Sequence, residues 1–161
     1  KLESLPFFRS DEMGSAVHAA SLERPVRLMI ALEMIGYYDS APGSQDYPYP
    51  AMSWLYPDRG DFIAVVGRMQ DINAVRQVKA ALLSSRDLSV YSMNAPGFIP
   101  GIDFSDHLNY WQHDIPAVMI TDTAFYRNKQ YHLPGDTADR LNYQKMAQVV
   151  DGVITLLYNS K

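Results

Sequence analysis

The chain has 161 residues, 47% of them hydrophobic, with a formal net charge of −4. That is the size of one ordinary domain with enough apolar content for a core, and mild acidity without any basic block disfavours nucleic acid as a partner. There is no cysteine, so disulfides and thiolate metal sites are excluded and any metal must be held by His, Asp or Glu.

The chain opens Lys1-Leu2-Glu3, with no methionine and no signal-like segment, as expected of a sequence that starts inside a longer protein. Residues 11–20 can form a short helix with Ser10 as N-cap. Residues 27–34 are a nearly continuous apolar run between Pro25 and Gly36, which suits a buried strand. Residues 40–60 hold five prolines and glycines up to Pro57 among several tyrosines and read as a long irregular loop. Phe62 to Val66 is a second buried strand. In residues 71–84, Ile72, Val75, Val78 and Leu82 recur at helical spacing. Leu88 to Tyr91 is a short strand, and residues 94–102 form a Pro/Gly loop. Ser105 caps a brief helix ending at Gln112, Ala117 to Thr121 is a third apolar strand, and residues 142–158 form the last helix. No apolar run reaches the ~18 residues of a membrane span. Strand–helix alternation implies an α/β sandwich on a mostly parallel sheet, with ligands at the C-terminal ends of its strands.

The polar residues that could carry chemistry fall at those ends. Glu33 closes the first apolar strand, either as a carboxylate turning to solvent or as a ligand whose cation offsets its desolvation. His132 is either a loop histidine bonded to a backbone carbonyl or a metal ligand. Tyr131 either packs or points its hydroxyl at an oxyanion. Ser105 and Asp106 suit a helix start, and Asp106 could instead orient a ligand histidine while His107 bonds substrate. His18 and His113 attract no evident partner. The sequence has no GxSxG elbow, no phosphate-binding glycine loop and no HExxH.

Taken in order, Leu32-Glu33-Met34-Ile35-Gly36, Ser105-Asp106-His107, Ile115-Pro116-Ala117-Val118 and Tyr131-His132 with Pro134, Asp136-Thr137, Asp139 and Leu141 carry a joint pattern. It resembles the C-terminal part of peptidase family M28, the co-catalytic zinc aminopeptidases related to glutaminyl cyclases. The resemblance implies one incomplete domain over residues 1–161. Its fold would be a three-layer α/β/α sandwich around a mostly parallel mixed sheet that lacks its N-terminal strands. It implies two zincs acting on a peptide substrate, with Glu33 and His132 as terminal ligands. Tyr131 would be the oxyanion-stabilising tyrosine, and Glu3 the general base. Ser4 stands where a second glutamate ligand is expected, and no His-x-Asp occurs in the chain. Each zinc would keep one terminal ligand and no bridge, so the chain alone is expected to hold no tight zinc pair and to be inactive. An exposed sheet edge would offer a route to a homo-oligomer. Two other readings remain open: a non-catalytic binding module, and a glutaminyl-cyclase-like acyltransferase with one zinc. No sequence signal assigns a compartment.

Overall fold

The computed structural model describes residues 8–85 and 87–159; Glu3 and Ser4 lie outside them. The described strands are β1 (Met29–Leu32), β2 (Phe62–Gly67), β3 (Ser89–Asn94) and β4 (Ala117–Thr121). The described helices are α1 (Gly14–Ala20), α2 (Ile72–Leu82), α3 (His107–Trp111) and α4 (Tyr143–Asn159). No helix among the described residues is long and apolar enough to cross a membrane.

The strand order is β1-β4-β2-β3. β1 runs parallel to β4, with Met29 opposite Ala117, and β2 runs parallel to β3, with Phe62 opposite Ser89. The two pairs meet antiparallel, Ala64 facing Thr121. The sheet is therefore mixed, and the C-terminal ends of β1 and β4 share a border with the N-terminal end of β2. The candidate site forms along this border.

Side chains alternate across a strand, and β2 and β4 are central strands covered by packed side chains above and below the sheet, so both of their faces are buried. Ile63, Val65, Val118 and Ile120 face α2 and α4, where Val75, Val78, Leu82, Val149 and Leu156 complete the larger core. Phe62, Ala64, Val66 and Met119 face the other way, toward Ala95, Ile102, Tyr91 and Trp111. Near α1 and α3, Ala19, Tyr110 and Ala117 form a third cluster. Helices α2 and α4 pack closely because Gly152 has no side chain: a Cβ there would sit 2.8 Å from Leu82 Cα.

Several boundaries differ from the sequence pattern: β3, expected over Leu88 to Tyr91, runs Ser89–Asn94 because it pairs with the whole of β2. α1 begins at Gly14 rather than Asp11, since the Ser10 carbonyl accepts a turn bond from Met13 N–H and Met13 occupies the N-cap. α3 begins at His107; Asp106 holds its N-cap without a side-chain bond, and the Ser105 hydroxyl is used elsewhere. β1 stops at Leu32 because Met34 turns into the left-handed region at φ 52°. The loop over residues 40–60 contains a single 3-10 turn, Pro50–Trp54.

Candidate active site

Glu33 leaves the end of β1 with its N–H still donating to the Ile120 carbonyl at 3.0 Å. Its Oε2 accepts a 2.8 Å hydrogen bond from Ser105 Oγ, which is buried. The serine read as a helix cap is thus a donor that fixes the carboxylate. No local pattern could have shown this, because the two residues are 72 apart in sequence.

Tyr131 and His132 lie in the connection after β4. Their rings stack with centroids 3.8 Å apart and planes 17° apart, and His132 has φ 57°. Burial raises the Tyr131 hydroxyl pKa first, and the charges of Glu33 and Asp136 raise it further. Glu33 and Tyr131 are therefore electrostatic neighbours. The connection is held by Asn128, which is buried: its amide donates to Asp136 Oδ1 at 2.8 Å, and its Oδ1 accepts from Gln130 N–H and Arg140 Nη1. Arg140 also donates to the Tyr37 hydroxyl at 3.0 Å, with its guanidinium 4.7 Å from the centre of that ring. This ties the connection to the segment after β1. Neither Asn128 nor Arg140 stood out in the sequence, where both look like ordinary surface residues.

Glu33 and Tyr131 line a cavity of about 100 Å³. Its floor is the sheet face of Phe62, Ala64, Val66 and Met119, and its walls include Tyr47, Met52 and Tyr56 from the long loop and Phe104 and Phe125 beside Tyr131. The aromatic loop over residues 40–60 therefore contributes part of the cavity wall. Burial raises the pKa of Tyr47 and Tyr56, so both present neutral hydroxyls. Tyr47 spends its proton on the Pro57 carbonyl and Tyr56 on the Ser92 carbonyl.

Asp106 and His107 do not join this rim in the expected way. His107 is 0% exposed, with Nε2 2.8 Å from the Ile102 carbonyl and its ring edge-on to Trp111. Burial lowers its pKa, so the neutral imidazole donates from Nε2 to that carbonyl. Contact with a substrate is thus replaced by an internal bond that shapes residues 102–107. Asp106 is exposed, and among the described residues no hydrogen bond joins it to His132. Its charge is felt instead by His107 and Tyr110. His18, read as lacking a partner, bonds the Tyr110 hydroxyl through Nδ1 at 2.6 Å.

Among the described residues no three His, Asp or Glu side chains converge closely enough to hold a metal ion. Catalytic zinc normally takes three protein ligands. Glu33 and His132 thus belong to no such group of three among the described residues.

The profile of Peptidase family M28 matches residues 12–157. Over 159 residues the sequence is 95% identical to the uncharacterized protein YfbL of Escherichia coli (strain K12), covering 99% of this chain and 49% of that protein. The chain thus spans about half the length of this curated relative. Among solved structures, the LapA aminopeptidase of Legionella pneumophila matches with a TM-score of 0.63 at 20% identity, over 89% of this chain and 34% of that one. BSAP, a zinc aminopeptidase from Bacillus subtilis, matches with a TM-score of 0.61 at 16% identity, over 91% of this chain and 32% of that one. At these identities the two structures establish the fold, and the profile, running through nearly the whole sequence, establishes the family: the chain belongs to Peptidase family M28.

Proposed function

We propose that this chain is the C-terminal portion of an aminopeptidase and supplies the part of its site that receives the N-terminal residue of a peptide. The observation that carries this reading is the placement of Glu33 and Tyr131 together on the wall of a largely apolar cavity. An apolar pocket with a few convergent polar groups is the usual form of a small-ligand site. The cavity would take the side chain, and the Glu33 carboxylate, steadied by Ser105, would face the peptide's polar end. Tyr131 keeps its proton at neutral pH, as a phenol does, and its surroundings raise its pKa further, so it can donate to an oxyanion. The family resemblance assigns Glu33 and His132 to zinc and Glu3 to the general base. With no convergent ligand set among the described residues, residues 1–161 alone are expected to be inactive.

The test compares residues 1–161 with the longer protein that contains them, on a panel of aminoacyl arylamides with and without chelator. Chelator-sensitive hydrolysis by the longer protein, lowered in kcat about 100-fold by Tyr131→Phe, supports the reading. No hydrolysis of any arylamide refutes it. Ser4, standing where the family resemblance expects a glutamate ligand, favours one second reading, a peptidase-like module that binds peptide without cleaving it. Peptide binding without turnover by the longer protein would support that one. The outer side of β1 has no partner strand among the described residues, and Leu32 there is 48% exposed. A second copy pairing along this edge is expected to give a concentration-dependent sedimentation coefficient; a constant monomer value would exclude it.

A further inference from the structure

Asp122 follows β4 directly and is 1% exposed. Its Oδ2 accepts from the N–H groups of Gly36 at 3.1 Å and Tyr37 at 2.8 Å, and its Oδ1 accepts from Ala124 N–H at 3.0 Å. Its own N–H donates to the Met34 carbonyl at 2.6 Å. One side chain thus bonds two separate segments: the turn that leaves β1 and the turn that leaves β4. Both turns hold non-glycine residues in the left-handed region, Met34 at φ 52°, Thr123 at φ 75° and Ala124 at φ 49°. Such conformations persist only where the surroundings over-determine them, and a buried carboxylate persists only where donors converge on it.

Arg127 reinforces the same junction. It is 3% exposed, donates from Nη1 to the Tyr37 and Phe62 carbonyls, and donates from Nε to Gln45 Oε1. Burial pushes the Asp122 carboxyl up to about 6; the three N–H groups and the Arg127 charge pull the other way. Tyr38 also feels this carboxylate.

The two joined segments carry the residues of the cavity rim. Glu33 immediately precedes Met34, and Tyr131 and His132 lie on the connection that Thr123 and Ala124 begin. We propose that Asp122 is a positioning residue whose carboxylate sets the turn carrying Glu33 against the connection carrying Tyr131 and His132. The rim's role in catalysis rests on the aminopeptidase reading, but the positioning itself does not. A carboxylate is required because three donors point at two oxygens. An asparagine offers one oxygen, and its NH2 would face an N–H group.

The test uses the longer protein that contains this chain, and amide NMR. In the wild-type protein the Gly36, Tyr37 and Ala124 amide shifts should titrate together with one midpoint, because one carboxylate accepts from all three. Separate midpoints, or none, overturn the proposal without any variant. Asp122→Asn should abolish that shared titration and lower hydrogen-exchange protection at the three amides about tenfold, while Val78 and Val149 in the helical core keep theirs. The Glu33, Tyr131 and His132 resonances should shift with them. Unchanged protection at the three amides overturns the proposal, as does a loss spread evenly over the core. In the longer protein, Asp122→Asn should lower kcat more than it raises KM. A longer protein with no peptidase activity would refute the aminopeptidase reading and leave the NMR result to decide the positioning role.

Discussion

Replacing Arg127 by methionine keeps most of a buried stem and removes its guanidinium. In the wild type, Nη1 serves the Tyr37 carbonyl at 3.0 Å and the Phe62 carbonyl at 2.9 Å. Each bond from a charged donor is worth about 1.5 kcal/mol. Nε serves Gln45 Oε1 at 2.9 Å, but that oxygen also accepts from the Thr123 hydroxyl at 3.2 Å, so its loss is partly covered. The guanidinium lies 4.6 Å from the Phe62 ring centre and 5.7 Å from that of Tyr38, a contribution of about 1 kcal/mol. These losses total about 4 kcal/mol. Part is returned, because burial of the cation carries a desolvation cost, visible in its lowered pKa. The net expectation is a loss of about 3 kcal/mol. Urea unfolding followed by circular dichroism at pH 7.5 should show a lower midpoint with an unchanged slope. A variant within about 0.5 kcal/mol of wild type would refute the reasoning, because it would mean that the carbonyls find other donors or that the cation costs as much as it contributes.

The buried acid makes a pH prediction. The Asp122 pKa is raised in the folded chain from 3.8 to about 6, so between those values the folded state binds the extra proton. Its contribution to stability is complete below 3.8 and is lost as pH rises through about 6, a change of about 3 kcal/mol. Urea midpoints taken from pH 4 to 7.5 should show this falling component in wild type and not in Asp122→Asn; equal pH slopes in the two would contradict it. Gly152→Ala sets a helix-propensity gain of about 1 kcal/mol against overpacking of about 2 kcal/mol, since the new Cβ would lie 2.8 Å from Leu82 Cα. A net loss of about 1 kcal/mol is expected in thermal unfolding, and a stabilised variant would show that α2 and α4 can separate at little cost. Ser105→Ala removes the 2.8 Å donor to Glu33 Oε2 and should cost about 1 kcal/mol in the same assay. A crystal structure of that variant should show the Glu33 carboxylate displaced; an unmoved carboxylate would mean that the backbone, not Ser105, sets its position.

The sequence by itself determined the local elements. Continuous apolar runs over Phe62–Gly67 and Ala117–Thr121 mark strands buried on both faces, and the spacing of Val75, Val78 and Leu82 marks a helix with one inward side. The ordered motifs around Glu33, Ser105 and Tyr131-His132 were enough to indicate the family. Tertiary structure alone decided that β4 lies between β1 and β2 and runs antiparallel to β2, which brings the Glu33 turn beside the connection carrying Tyr131. It turned the Ser105 hydroxyl to Glu33 instead of to a helix end, and it enclosed His107 against Trp111 instead of presenting it to substrate. It also converged two turns on Asp122, whose place at a strand end is visible in the sequence but whose partners are not. The physical reason is range. Periodicity and capping are written in neighbouring side chains. The partner of a buried polar group depends on which distant strand is packed beside it, and no local pattern records that.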